Sequence, residues 1–331
     1  MSFGLAQQNT FLAIDQYTAK SAPRSTTQNL DQLVDHLVKP AKTDREKARS
    51  FFSWIAHNIV YDTHYFYNKD TAEPCFSTDC ILTQNKTVCL GYARLFQQMC
   101  EKEGIPCEVI EGYSREDTAP ITKKLQKTDH AWNAVLLDGQ WFLVEPTWGS
   151  GYLDDQGVFH AEFDDSQFLT DPKAFVKTHL PMDPIWQLLE APVPVSVFKK
   201  GGQAVDEYIA RTPPRLDYEK SIFQLLSLPA DEARLKSAQR SARFNPDNQF
   251  DLAYALMDHA YSISNTEETQ GLAIDQQIKI YQQAIGQYRK AIELFRLGDL
   301  PEGRPHLDVC LNNLEHLKYL MNELGATVRS R

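Results

Sequence analysis

The chain has 331 residues, 42% hydrophobic and 11% aromatic, enough apolar material for one large or two moderate folded domains. Its formal charge is −10 and its basic residues do not cluster, which argues against nucleic acid and anionic membrane surfaces as partners. There is no run of about 18 apolar residues, and Met1 to Gln8 lacks a basic n-region and an apolar h-region, so neither a membrane span nor a Sec-type signal is expected.

Six cysteines without a secretory signal read as reduced thiols in a cytoplasmic protein. Cys75 and Cys80 are not at a common zinc spacing and no nearby Cys/His pair completes a site, so no metal and no cofactor is expected. Cys100, Cys107 and Cys310 fall on apolar faces and read as packing residues.

In chain order, residues 1 to about 25 show little periodicity and read as an N-terminal arm, with Ser21 to Thr27 an extended stretch. Leu30, Leu33, Val34 and Leu37 give a short amphipathic helix that Pro40 ends. Thr43-Asp44-Arg45-Glu46 is a capping box opening a helix with Ala48, Phe51, Phe52, Ile55 and Ile59 inward. Ile59 to Asp62 is extended. A polar loop from Thr63 to Lys86 follows, spotted with His64, Tyr65, Phe66 and Tyr67. Read from the residues alone, these aromatics pack the loop onto the domain, and His57 and His64 read as structural.

Ala93 to Lys102 is helical, with Leu95, Phe96 and Met99 on one side and Gly104 as the C-cap glycine. Cys89 therefore sits in the first turn, where free backbone N–H groups and the helix dipole favour a thiolate. Cys107 to Tyr113 alternates like a strand, as does Ala131 to Leu137. Asp138-Gly139 is a type I′ hairpin turn, with Gln140 to Val144 as the returning strand. That turn makes residues whose numbers sum to about 277 face each other. His130 and Glu145 fall just short of that sum, at the open end of the hairpin. A carboxylate there can bond one imidazole nitrogen and leave the other for a thiol. The approach of Cys89 is not forced by local geometry.

Cys89-Leu90-Gly91-Tyr92-Ala93, then His130-Ala131-Trp132-Asn133, then Pro146-Thr147-Trp148-Gly149 resembles the transglutaminase-like cysteine enzyme superfamily, a relative of the papain fold. The closer resemblance is to its kyphoscoliosis peptidase branch. It rests on Trp54-Ile55-Ala56 through Tyr61-Asp62, on Thr147 to Gly151, and on Phe168 to Pro172 through Trp186-Gln187-Leu188-Leu189. The resemblance covers about residues 30 to 195. It implies Cys89 as nucleophile and His130 as base, with Glu145 in the place where the family usually has Asp. It also implies substrate contacts around Tyr65, Trp132 and Trp148.

After the hairpin, Gly149-Ser150-Gly151 reads as a flexible turn. The spacing of Asp154, Asp155, Asp164 and Asp165 does not fit a calcium loop, so they read as solvated turns. Asp171-Pro172 starts a short helix. Pro181, Pro184, Pro192 and Pro194 mark an irregular connection, and Lys199 to Gly202 is the preferred boundary.

Beyond Leu216 the pattern is helical: Ala230 to Phe244, Phe250 to Ser262, a long stripe on Ile274, Ile278, Tyr281, Ile285, Tyr288, Ile292 and Phe295 with Gly286 as its weak point, and a last helix carrying Leu307 to Leu324. No 34-residue repeat is visible, so a bundle is preferred to a tetratricopeptide-like array. The expected organisation is an arm (1–25), an α+β, papain-like, transglutaminase-like catalytic domain (26–200) and an all-α helical bundle (201–331). The expected chemistry is cysteine-dependent acyl transfer on protein or peptide amides through a thioester, with hydrolysis favoured over amine transfer by the kyphoscoliosis-type resemblance. The alternatives are a non-catalytic scaffold with this fold and a cross-linking transglutaminase. A protein partner on the C-terminal helices is the further expectation.

Overall fold

The computed structural model describes residues 3–20, 29–68, 75–265, 267–298 and 300–329. The chain divides into two compact units, one of residues 1–117 and 129–179, the other of residues 118–128 and 180–331.

In the first unit, helices α1 (Phe3–Lys20), α2 (Leu30–Leu37) and α3 (Asp44–Asn58) come first. Thr43 and Glu46 form the reciprocal capping box read from the sequence, and α3 buries Phe51, Phe52, Trp54 and Ile55. The expected N-terminal arm is instead α1. Its Phe11, Ile14 and Thr18 are buried. A cation holds it as much as an apolar stripe does. The Arg49 guanidinium, 1% exposed, donates to both Asp15 oxygens at 2.8 and 2.7 Å and also pairs with Asp165. Phe11, Phe52, Phe163 and Phe168 surround it at 5.1–5.5 Å. A helix fixed through Asp15 and Arg49 leaves a weak trace in apolar periodicity. Ser21 to Thr27 lies outside the described residues.

Strand β1 (Val60–Tyr61), helices α4 (Thr63–Tyr67) and α5 (Thr78–Gln84), strand β2 (Lys86–Thr87) and helix α6 (Cys89–Lys102) lead to the sheet. The loop expected from Thr63 to Lys86 thus contains two short helices. Both start from side-chain caps rather than from periodicity: Asp62 accepts from the Tyr65 amide at 3.0 Å, and Ser77 from the Cys80 amide at 3.3 Å. The α5 turn carries Cys80 to Cys75, with Cα atoms 5.6 Å apart, and the two form a disulfide. This corrects the expectation of six reduced thiols, and cysteine content no longer supports a cytoplasmic location. Among the described residues no helix is long and apolar enough to cross a membrane.

Strands β3 (Cys107–Ser114), β4 (His130–Leu137) and β5 (Gln140–Val144) form an antiparallel meander. A small antiparallel pair, β6 (Gly151–Leu153) with β7 (Phe159–Ala161), follows. Then come β8 (Phe168–Thr170), helix α7 (Pro172–Phe175) and β9 (His179–Pro181). The main sheet runs β8-β5-β4-β3 and ends on the strand that opens with His179. Asp138 and Gly139 both take positive φ, 52° and 79°, and Asn133 faces Val144, Ala134 faces Leu143 and Val135 faces Phe142. Helices α3 and α6 cover one face of the sheet, burying Leu95, Phe96, Met99, Val135 and Val144 in one core.

The second unit is mainly helical. It contains α8 (Val195–Phe198), α9 (Gly202–Arg211), α10 (Tyr218–Leu226), α11 (Ala230–Phe244), α12 (Phe250–Ser264), α13 (Glu267–Gly271), α14 (Ile274–Gly298) and α15 (Gly303–Arg329). It begins earlier than the boundary expected at Lys199 to Gly202. Asp183, 2% exposed, accepts from Arg240 at 2.6 Å twice and from Ser237 at 2.8 Å, which ties the chain after Leu180 to α11. Residues 118–128 belong here too. Thr118 accepts from the Gly202 amide at 2.8 Å, and the Leu125 carbonyl from Asn245 at 2.7 Å. One cut in the chain therefore does not separate the two units.

Helices α12, α14 and α15 share a core of Ala253, Leu256, Tyr281, Tyr288, Ile292, Phe295 and Leu314. A Cβ on Gly286 would meet nothing within 4 Å. Gly286→Ala is therefore expected to raise stability by about 0.5–1 kcal/mol by restricting the unfolded chain. A urea midpoint that rises with an unchanged slope confirms it; an unchanged or lower midpoint contradicts it.

Candidate active site

Cys89 is the first residue of α6 and is half-buried. The residue before it, Val88, is extended and offers no side-chain cap, so the first-turn amides of α6 lack a side-chain acceptor. Those N–H groups and the dipole favour negative charge at this point. Upstream, β1 and β2 pair in parallel, with Val60 beside Lys86 and Tyr61 beside Thr87. The Thr87 hydroxyl donates to the Cys75 carbonyl at 2.6 Å, which ties the segment before Cys89 to the disulfide.

Gly91 makes this approach feasible. A Cβ there would lie 1.9 Å from Thr87 Oγ1. Gly91→Ala is expected to cost about 1–3 kcal/mol of stability, the usual cost of overpacking, and to shift Cys89 with the strand before it. Thermal unfolding together with the alkylation rate of Cys89 tests this. An Ala variant equal to wild type in both contradicts it.

Two buried polar anchors supply what the sequence left open, the placing of α6 against the histidine strand. Tyr92, one turn after Cys89, donates from its hydroxyl to the Ile59 carbonyl at 2.7 Å. Asn133, fully buried on β4, donates to the Ala93 carbonyl of α6 at 2.9 Å and to Glu108 of β3 at 3.3 Å. Asn133 stood in the His-Ala-Trp-Asn motif without a role; it locks α6, β3 and β4 together.

His130 opens β4, opposite Gly112 on β3. Glu145 follows β5 directly. Its amide donates to the Gln167 carbonyl at 2.9 Å, and its own carbonyl accepts from Gly149 at 3.0 Å. Its side chain is fully buried. Oε1 accepts from the Trp148 amide at 2.9 Å and lies 3.3 Å from His130 Nε2. That leaves Nδ1 of His130 for the Cys89 side chain, which is within hydrogen-bonding reach of the ring. Burial alone pulls the His130 imidazolium down. The Glu145 charge and the hydrogen bonds to Cys89 and Glu145 together outweigh it and hold the group up at about 10. The site thus favours a charged imidazole at neutral pH.

The expected substrate contacts fall in three different places. Trp148 is half-buried, with its ring 5.9 Å from that of His130. Tyr65 is half-buried on α4, edge-on to Phe76 at 5.8 Å. Trp132 is fully buried instead of facing a substrate. It shares the face of β4 with His130 and is covered by Phe175 and His179 at 5.6 and 5.2 Å, so it backs the histidine.

Sequence reasoning assigned Tyr61 and His179 no role. Tyr61 stacks on Tyr92 at 6.4 Å and is half-buried. Burial first, then the nearby Cys89, pushes its phenol well above the ordinary value. Its trace in the sequence was the Tyr61-Asp62 pair after α3. His179 enters from a segment 49 residues beyond His130 and had no local signal. His130, Glu145 and His179 each offer a ligand atom within 4.8 Å of one another. Donors on one tetrahedral zinc sit about 3.4 Å apart, so these groups would have to draw together to hold that ion.

Residues 31–146 match the family model described as the transglutaminase-like superfamily, a stretch that holds Cys89, His130 and Glu145. The chain is 38% identical over 201 residues to Kyphoscoliosis peptidase of Homo sapiens, which covers 60% of this chain and 29% of that protein. It is 31% identical over 194 residues to Hillarin of Drosophila melanogaster, covering 55% and 23%. It is 28% identical over 208 residues to Lim and transglutaminase domain protein ltd-1 of Caenorhabditis elegans, covering 57% and 27%. The chain spans under a third of the length of these relatives.

Proposed function

Since residues 31–146 are a domain of the transglutaminase-like superfamily, related to the kyphoscoliosis peptidase branch, we propose that this protein catalyses acyl transfer from protein or peptide amides through a thioester on Cys89. The observation that carries this reading is the row of Cys89 at an uncapped helix start, His130 beside it, and buried Glu145 at 3.3 Å from the far nitrogen of His130.

In this mechanism Cys89 Sγ attacks the amide carbonyl as a thiolate, with its proton already on His130. The tetrahedral oxyanion forms next to the first-turn amides of α6. His130 gives its proton to the leaving amine, and the C–N bond breaks. His130 then takes a proton from the incoming acceptor, whose oxygen or nitrogen attacks the thioester and releases Cys89. Glu145 fixes the ring and balances its charge at each step. Water as acceptor gives hydrolysis and a primary amine gives transfer. The relative named a peptidase favours water. For the second unit the reading is a protein-contact surface, because Phe223 and Leu226 stand exposed one turn apart on α10.

The test is acid-quench mass spectrometry after exposure to a peptide-amide library, with and without an added primary amine. The expected result is an acyl adduct on Cys89 that is lost in His130→Asn and partitions mainly to water. Adducts on other residues, or turnover that survives Cys89→Ala, would overturn the reading.

A further inference from the structure

His179 stands behind the Cys89, His130 and Glu145 row and is 1% exposed. One face of its ring stacks on Phe175 at 4.2 Å, with Trp148 at 4.3 Å, Trp132 at 5.2 Å and His130 at 5.4 Å around it. Its Nδ1 is engaged by Thr178 Oγ1 at 2.9 Å. Its Nε2 is buried without a hydrogen-bond partner, and so is Oε2 of Glu145. The two side chains are close: one ring nitrogen each of His179 and His130 and one Glu145 oxygen lie within 4.8 Å of one another. Two unmatched polar atoms, one able to donate and one able to accept, are costly apart and complementary together.

The protonation pattern fits this pairing. Burial first, then the charge on His130, pushes His179 well below its ordinary value, so it is neutral at physiological pH. A neutral imidazole has one N–H and one lone pair. The Thr178 hydroxyl lies 2.9 Å from His179 Nδ1 and donates to the Phe175 carbonyl at 3.4 Å, so the direction of its contact with Nδ1 follows the tautomer. When the hydroxyl turns to Nδ1 instead, the proton of His179 sits on Nε2, and that is the tautomer the pairing with Glu145 requires. His130 and Glu145 are the titratable groups that come within 4.8 Å of His179 in this cluster, and Phe175, Trp132 and Trp148 present rings to it.

We propose that His179 is a positioning residue that donates from Nε2 to the second oxygen of Glu145 and keeps that side chain turned towards His130. It deepens the acyl-transfer reading and rests on it. Glu145 would then be held at one oxygen by the Trp148 amide and at the other by His179, and His130 would keep its proton beside Cys89 through both.

The test compares wild type, His179→Phe and His179→Gln. Phe keeps a ring against Phe175 and Trp148 without a donor; Gln restores a donor. The readout is the iodoacetamide rate at Cys89 from pH 5 to 9, by peptide mapping. His179→Phe is expected to lose about tenfold at pH 6 and less than about twofold at pH 9, and His179→Gln to recover most of the loss, as for a hydrogen bond to a charged group. Matching profiles for His179→Phe and wild type would overturn the proposal, as would equal, pH-independent losses in both variants. A wild-type profile that changes on adding EDTA would assign these groups to a metal and overturn it too. Nitrogen-15 NMR of unmodified wild type reads the tautomer without any variant. Nε2–H at pH 7 is predicted, and Nδ1–H or a charged ring would contradict it. A wild-type Cys89 without acid-side reactivity would fail the acyl-transfer reading itself, whatever the tautomer.

Discussion

Replacing His130 by Asn is expected to slow alkylation of Cys89 at pH 6 by about 100-fold, with rates converging near pH 9. An isolated thiol titrates near 8.5, so well under about 1% is thiolate at pH 6. A thiolate that shares its proton with a charged imidazole escapes that limit. Order of labelling among the free cysteines is a weaker test here. Cys100, Cys107 and Cys310 are buried and Cys89 is half-buried, so exposure alone would put Cys89 first. The dependence on pH and on His130 separates chemistry from exposure. A loss in His130→Asn that is uniform from pH 5 to 9 would mean displaced structure.

Replacing Glu145 by Gln is expected to cost roughly 10–10³-fold in the same rate at pH 6, less than the loss of about 10⁴ known for the equivalent change in a serine triad. Gln keeps the shape of the side chain but carries no charge, and its amide can present a donor to His130 Nε2. Glu145→Asp should be milder but not silent. Oε1 now serves both the Trp148 amide at 2.9 Å and His130 at 3.3 Å, and a side chain about 1.5 Å shorter cannot reach both without backbone movement.

The same substitution should change how stability depends on pH. His130 titrates near 6.5 when unfolded and is held at about 10 in the folded protein. Below about 6.5 both states carry the proton and the contribution is complete. Between about 6.5 and 10 the unfolded chain releases its proton while the folded protein keeps it, so stability falls as pH rises across that window, by an amount on the order of a few kcal/mol. In Glu145→Gln the main attraction on that proton is gone and the decline should flatten. Urea unfolding at pH 6.5 and 9.5 measures it; parallel declines in both proteins would show that Glu145 does not hold the proton.

Local rules were legible in the sequence wherever they decide structure alone. Asp138-Gly139 set the turn, the turn set the register, and the register brought His130 and Glu145 to 3.3 Å. The long apolar stripes of the C-terminal half set α11, α12, α14 and α15 in the same way. The sequence was silent where a contact joins distant residues through polar atoms. Arg49 clasps α1 through Asp15, Asn133 ties β4 to α6, Asn245 draws Leu125 into the helical unit, and His179 returns to His130 and Glu145. None of these contacts has a period. Trp132 had no local signal for its surroundings either: Phe175 of α7 and His179, both distant in the chain, cover it.

The proposed reaction rests on a charged imidazole held by Glu145 beside Cys89. Its most direct test is the NMR titration of the His130 ring Cε1–H in wild type, assigned by comparison with His130→Asn. The shift is predicted to stay that of an imidazolium from pH 5 through 8.5 and to move only as pH approaches about 10. A ring that titrates near 6.5, as a free histidine does, would contradict the account.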